Sequence, residues 1–376
     1  MRGMTLSGMA LGAPGLLAAC GTEGARQTAD TCVSTDISST DKTLRFSNWL
    51  EYIDVAKGGR MPTLDEFKKQ TGIDVTYTTD VNDNIDFFEK VQNQLGDCQT
   101  VERDIFVLTD WMAARMIDLG WIQKLDHANI ANVDANLLDS LKSPSWDSTR
   151  DYSVPWQSGL TGIAYNSEYI GEVSSMEELL TRADLKGKVT LLSEMRDTMG
   201  FMLKIVGADP SDFNEDEWNE ALSKLEDAVG SGQIRRFTGN DYVDDLLAGN
   251  VVACEAWSGD VIGLRKDIKW VAPDEGLAIW SDNMLVPNKA DHKENAEALM
   301  NYYYDPEVAA TLAAWVNYIC PVEGAQQAME KIDPSLVDNP LIFPTADFLE
   351  QTWGFMGLDE PTARKYETAF TKATSA

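Results

Sequence analysis

From residue 43 onward the chain alternates short apolar runs with amphipathic stretches of helical period, and this alternation constrains the fold more than any other feature. Strand patterns at 43–47, 73–78 and 104–108 are interleaved with helical ones at 61–70, 85–95 and 110–119. A second series places strands at 188–192, 233–236 and 251–255 among helices at 197–206, 214–229 and 241–247. The order predicts an α/β fold with a largely parallel sheet, because parallel neighbours need a crossover that a helix supplies. Between the two series, residues 151–156 and 162–166 read as an extended passage, and 277–280 is a further extended piece beyond the break at 273–276. The remainder reads as helical at 293–304, 306–316 and 361–372. Residues 43–376 exceed what one hydrophobic core usually organises, so two domains are expected.

The N-terminus carries Arg2 ahead of a mildly apolar run at 4–19, too short and Gly-rich to span a bilayer, which reads as an export signal over 1–19. It ends in Leu17-Ala18-Ala19-Cys20, where small residues before a Cys resemble a bacterial lipobox that leaves Cys20 lipidated. An ordinary cleavage site beside an incidental Cys is the alternative; both imply export. Arg2-Gly3 also fits the tail of a twin-arginine signal, so the export route stays open. Residues 20–42 are then the lipidated Cys and a polar tether spanning on the order of 25 Å as a flexible coil. The expected location is the cell envelope, on the outer face of the cytoplasmic membrane or in the periplasm.

Composition decides which partners to consider. The chain has 61 acidic and 31 basic residues, a formal net charge of −30, which disfavours nucleic acid and anionic membrane surfaces and favours cations. Solvated acidic faces give the same total. With Cys20 assigned to lipid, four cysteines remain that an exported context lets pair in three ways. Cys254 and Cys320, each after a short apolar run, are expected to pair, leaving Cys32 with Cys98. Their wide spacing lacks the close pairs of a zinc site, and no metal or other cofactor is expected.

Several segments together are similar to the periplasmic spermidine/putrescine-binding proteins. Phe46-Ser47-Asn48-Trp49-Leu50-Glu51-Tyr52-Ile53 resembles that family's N-W-x-E-Y opening, residues 104–111 its strand and following loop, and Gly120-Trp121-Ile122-Gln123-Lys124-Leu125-Asp126 its G-x-I-Q-K-[IL]-D. Asp151-Tyr152-Ser153-Val154-Pro155-Trp156 resembles its crossover, Ala256-Trp257-Ser258-Gly259-Asp260 its W-x-G turn, and 276–287 its G-x-x-W-x-D segment. Asn317-Tyr318 stands at its last aromatic. The resemblance runs through nearly everything after residue 42, in order. It implies a two-lobed periplasmic binding protein fold, type II-like, with hinge strands between the lobes: 43–154 with 277–320, and 155–276 with 321–376. It implies a monomeric receptor that delivers a polyamine to the permease of an ABC importer. The ligand site so implied takes Trp49, Glu51 and Tyr52, then Thr109, Asp110 and Trp111, then Glu194 and Asp197, and finally Trp257, Trp280, Asp282 and Tyr318. A late family Gln that helps hold a terminal amine has no clear match at 352–356, which leaves the preferred chain length open.

The chemistry fits independently, because a polyamine alternates ammonium groups with methylenes and needs acids and aromatic walls in alternation. An indole face attracts a desolvated ammonium by about 0.5–2 kcal/mol, and a carboxylate hydrogen bond adds about 1.5–3. Among the 11 Trp, Trp121, Trp218, Trp270 and Trp315 lie in apolar or amphipathic patterns and read as core. Trp49, Trp257 and Trp280 lie at strand ends beside polar residues, where a loop projects them into a cleft. Glu51, Asp197 and Asp282 could instead be solvated surface acids, and Asp110 and Glu194 could cap helices. Against an enzyme stand two histidines, His127 and His292, both expected at the surface, and the lack of G-x-S-x-G, P-loop or H-E-x-x-H motifs. Glu194 and Asp197 could serve a carboxylate-based hydrolase. A binding protein of the same fold for another cationic small molecule or peptide is the nearer alternative.

Overall fold

The computed structural model describes Cys32, residues 34–262 and residues 264–375; the export signal, Cys20 and most of the tether lie outside the described residues. The first lobe begins with β1 (Thr43–Trp49), α1 (Pro62–Thr71), β2 (Asp74–Val81), α2 (Asn84–Gly96), β3 (Ile105–Thr109), α3 (Asp110–Asp118) and α4 (Ala131–Asn136). β4 (Ser153–Asn166) leads into α5 (Met176–Thr181), β5 (Val189–Leu192), α6 (Met195–Ile205), α7 (Glu215–Gly230), β6 (Ile234–Thr238), α8 (Tyr242–Ala248), β7 (Ala253–Trp257), α9 (Ser258–Val261) and β8 (Ile268–Val271). β9 (Leu277–Leu285) returns the chain to α10 (Lys293–Tyr303), α11 (Pro306–Val316), α12 (Ala325–Ile332), α13 (Ala346–Leu349), β10 (Thr352–Trp353) and α14 (Glu360–Thr374).

Local chemistry sets these boundaries. Asp83 caps α2 by accepting from the amides of Ile85 and Asp86, and Asn214 and Glu217 form a reciprocal capping box on α7. α11 opens with the Asp305 cap and Pro306 and stops at Asn317, whose φ of 58° turns the chain towards Tyr318.

The sheet runs β2-β1-β3-β9-β4-β7-β5-β6, with β8 on β4 and β10 on β9. Pairing is parallel within each lobe, as the strand–helix alternation predicts, but antiparallel wherever β4 or β9 takes part with β3, β7, β8 or each other. The two extended pieces expected at 151–156 and 162–166 are one buried 14-residue strand. β4 and β9 therefore serve both lobes and form the frame between them. Their ladder slips between Pro155 and Gln157; proline has no amide to donate, and the bulge frees Trp156 to bond the Tyr52 carbonyl at 3.3 Å.

Several expectations need correction. Cys32 and Cys98 form a disulfide, but Cys254 and Cys320 are free, buried thiols. Cys254 is held in the β4–β7 ladder opposite Ala164, whereas Cys320 is fixed by its own amide bond to Ile342. Each packs as a small core residue, and burial pushes the Cys320 thiol up to about 12. Residues 34–41 are not a free coil: Asp36 accepts from the Glu294 amide at 2.8 Å and Ser38 from that of Asn295 at 3.2 Å, docking the segment on α10. His292 is buried beside them, its Nδ1 3.2 Å from Asp104, while His127 is partly exposed. Residues 321–376 divide, with α12 packed on α11 of the first lobe and α14 on α7 of the second, where Tyr366 stacks 3.9 Å from Trp218. Trp218 is core as expected, but Trp315 is 38 % exposed, because α11 is apolar on nearly all sides and cannot bury every face.

Candidate functional site

The carboxyl ends of the parallel strands in both lobes converge on a cavity with about 410 Å³ of atom-free space. Clefts at such strand ends are where α/β folds place ligands. β1 ends in Trp49 and the loop to Tyr52, β3 in Thr109, β5 just before Glu194, and β7 in Trp257; β9 contributes Trp280 and Asp282, and the turn after α11 contributes Tyr318.

Three buried carboxylates, Asp282, Asp260 and Glu194, and the half-buried Asp197 define its polarity. Asp282 accepts from the Thr109 hydroxyl at 2.8 Å, and burial raises its pKa to about 7. Asp260 accepts from the hydroxyls of Tyr318 at 2.6 Å and Tyr242 at 2.8 Å and from the Asn240 amide at 2.8 Å; burial still lifts it to about 6. Asp197, bonded by the Thr161 hydroxyl, is raised by burial to about 6. Glu194 takes the Asn84 amide at 2.7 Å and its side-chain nitrogen at 2.8 Å, and burial, then the neighbouring Asp83 charge, holds it well above the usual carboxylate range. No Lys, Arg or His is among the described residues that line this cavity.

The walls are a run of rings. Trp49 meets Trp257 at 5.8 Å, Trp257 meets Trp280 at 6.3 Å, Trp280 meets Tyr318 at 5.5 Å, and Tyr318 meets Tyr52 at 5.1 Å. The Trp49 indole nitrogen is bonded to the Val107 carbonyl at 3.1 Å and that of Trp280 to the Thr161 hydroxyl at 3.0 Å, so the orientations are fixed from behind. Two glycines make room: a Cβ at Gly159 would lie 2.3 Å from the Trp280 ring, and one at Gly259 2.3 Å from that of Tyr318.

Of the residues expected at the site, all but Glu51 and Asp110 line this cavity. Glu51 is exposed at the rim with a left-handed φ of 55°, and its charge still acts on Asp260. Asp110 is the first residue of α3, accepts from the Trp111 amide at 2.7 Å, and lines a neighbouring cavity. Glu194 precedes α6 without capping it, its carboxylate turned across to Asn84. The cavity also takes Leu50, Asn84, Asn240 and Asp260. Asp260 stands in the very W-x-G turn that marks Trp257, so its position was readable; Asn84 and Asn240 carry no local signal.

Residues 63–344 match the family described as bacterial extracellular solute-binding proteins. The chain belongs to that family. Its members bind solutes for ABC transporters and are not enzymes. This solute-binding protein is 27% identical over 343 residues to "Spermidine/putrescine-binding periplasmic protein 1" of Haemophilus influenzae, covering 89% of each chain. Among solved structures, an ABC transporter chain from Listeria monocytogenes superposes with TM-score 0.76 at 26% identity, covering 89% of this chain and 99% of that one. The substrate-binding protein PotD of Streptococcus pneumoniae shares the fold at TM-score 0.69 and 22% identity, over 89% and 99%. No helix among the described residues is long and apolar enough to cross a membrane, and no His, Cys, Asp and Glu group there could hold a metal ion.

Proposed function

We propose that this solute-binding protein captures a polyamine such as putrescine or spermidine for the permease of an ABC importer. The lobes close on the amine, and the chain is tethered by a lipid on Cys20. The observation that carries the reading is three buried carboxylates and the half-buried Asp197 facing aromatic walls, with no basic residue among the described residues of the lining. Uncompensated buried charge is costly, and a bound cation removes that cost. For a four-carbon diamine, methylenes contribute roughly 3 kcal/mol and the two ends roughly 4–8, against an association cost of at least about 4. Hydrogen bonds from the Trp49 and Trp280 indole nitrogens to Val107 and Thr161 hold the rings in place, which lowers the ordering cost. Relatives named for binding spermidine and putrescine support the same reading.

Isothermal titration with putrescine and spermidine tests it, alongside Asp282→Asn and Trp280→Ala. The reading expects saturable binding weakened about tenfold or more by either substitution. A folded protein that binds neither amine would move the assignment to another cationic solute.

A further inference from the structure

Thr109, Trp111, Asp197 and Trp280 also line a second, partly open chamber with about 490 Å³ of atom-free space, whose lining includes Trp353, Gly354 and Phe355. The two cavities share those four residues, so a ligand longer than the first cavity would extend past them into the second. What distinguishes the second chamber is Arg196, the only basic residue in its lining among the described residues.

Arg196 is buried, with 8% of its surface exposed. Its guanidinium carbon lies 3.4 Å from the Trp111 ring centroid, with the Phe355 ring at 6.0 Å. Its one ion pair among the described residues is a loose contact with Glu367 at 3.8 Å. It donates no hydrogen bond to any described residue, and its Nε is buried without a partner. A guanidinium is always a donor and never an acceptor. A buried one short of acceptors favours an oxygen in the chamber and disfavours a second cation. Asp110 and Asp197 line the same space, and the Asp110 charge is opposed by Arg196 and Arg150. Burial lowers the Arg196 pKa only to about 10, so the guanidinium remains charged at neutral pH.

We propose that Arg196 makes the second chamber a subsite for an oxygen acceptor and closes it to a third ammonium, so that the protein selects diamines, or longer amines capped by an acyl group, over free triamines. The inference rests on the polyamine reading above. It assigns the discrimination to one residue outside the first cavity, where putrescine needs no contact with it. Arg196 of α6 and Glu367 of α14 both pack in the second lobe, so losing their contact leaves the meeting of the lobes in place and the ratio between ligands isolates the effect.

Titration calorimetry on the protein with putrescine, spermidine and spermidine acetylated on its aminopropyl nitrogen tests this in the native protein and in Arg196→Gln. The native protein should bind putrescine about tenfold or more tighter than spermidine, consistent with a like-charge contact in a partly desolvated site. The acetylated triamine should exceed free spermidine. Arg196→Gln should raise spermidine affinity and bring the ratio towards one while leaving putrescine affinity within about twofold. Spermidine binding as tightly as putrescine in the native protein overturns the inference without touching the polyamine reading. An unmoved ratio in Arg196→Gln, or an acetylated triamine weaker than the free one, does the same. Should Arg196→Gln fail to fold, the two native comparisons decide alone. No binding of any of the three removes the polyamine reading and the inference with it.

Discussion

At the scale of single residues, the cavity is governed by acids whose burial makes ionisation costly. Asp282 at about 7, and Asp197 and Asp260 at about 6, are partly protonated in mildly acidic solution, and a bound ammonium needs them ionised. Amine affinity should therefore rise with pH between about 5.5 and 7.5 and level off above it. Calorimetry in buffers of different ionisation enthalpy would detect proton release on binding in the lower half of that range. Affinity that is flat or falls across it would refute carboxylate recognition. Asp282→Asn should remove the upper part of the pH dependence as well as weaken binding. The aromatic wall makes a steric prediction: Gly159→Ala places a methyl 2.3 Å from the Trp280 indole, so the ring must move. Binding should weaken about tenfold or more with the circular dichroism spectrum unchanged, and an unaffected affinity would mean that Trp280 does not touch ligand. Trp49, Trp257 and Trp280 were read from rings beside polar or small residues, and Asp197 and Asp282 from the family resemblance alone. Asn84 was not, since its role is to reach across to Glu194, and a contact between lobes leaves no trace in local sequence.

At the scale of elements, the strand–helix alternation announced both series, and the parallel ladders β1–β2 and β5–β6 follow from it. What alternation could not show is that β4 is one strand pairing β9 along one half and β7 and β8 along the other, because strand partners are long-range choices. β8 has four residues and α12 eight, too short for their patterns to stand out in sequence. The cysteines show the same limit, since apolar flanks mark Cys254 and Cys320 as buried but not as neighbours. Cys32–Cys98 instead staples the start of the docked segment to the residues just after α2, across a separation of 66 residues. Closing a loop of that length stabilises by about 2–4 kcal/mol. Cys32→Ala should lower the melting temperature by several degrees while leaving amine affinity nearly unchanged, because the bond is remote from the cavity lining. A melting temperature equal to that of the native protein would show that the bond does not constrain the fold. In the native protein Cys254 and Cys320 should resist thiol reagents until the fold opens.

At the scale of the whole molecule, the lobes meet on either side of the cavity. Asn84 bonds Glu194, the Ser193 hydroxyl bonds Asp83 at 2.9 Å, and Arg115 of α3 pairs with Glu360 of α14 at 3.0 Å. If closure is driven by ligand, small-angle scattering should report compaction when a saturating amine is added, and identical curves would exclude hinge motion as the mechanism. The same buried acids set a further property of the empty protein. Asp110, Asp197 and Asp260 at about 6, Asp282 at about 7 and Glu255 at about 8 all have folded pKa values above their ordinary ones. Between pH of about 4 and 8 the folded state therefore holds more protons than the unfolded chain, and linkage makes stability fall as pH rises through that window. Carboxylates shifted the other way, such as Asp139 and Asp184, are exposed and screened, so they offset little. The ligand-free protein should melt lower at pH of about 8 than at about 5, the reverse of the usual acid destabilisation. A saturating diamine should raise the melting temperature far more at the higher pH, where it meets ionised acids. If the empty protein is more stable at pH of about 8, and the amine's increment is the same at both, the buried acids do not carry the charge on which cation capture depends.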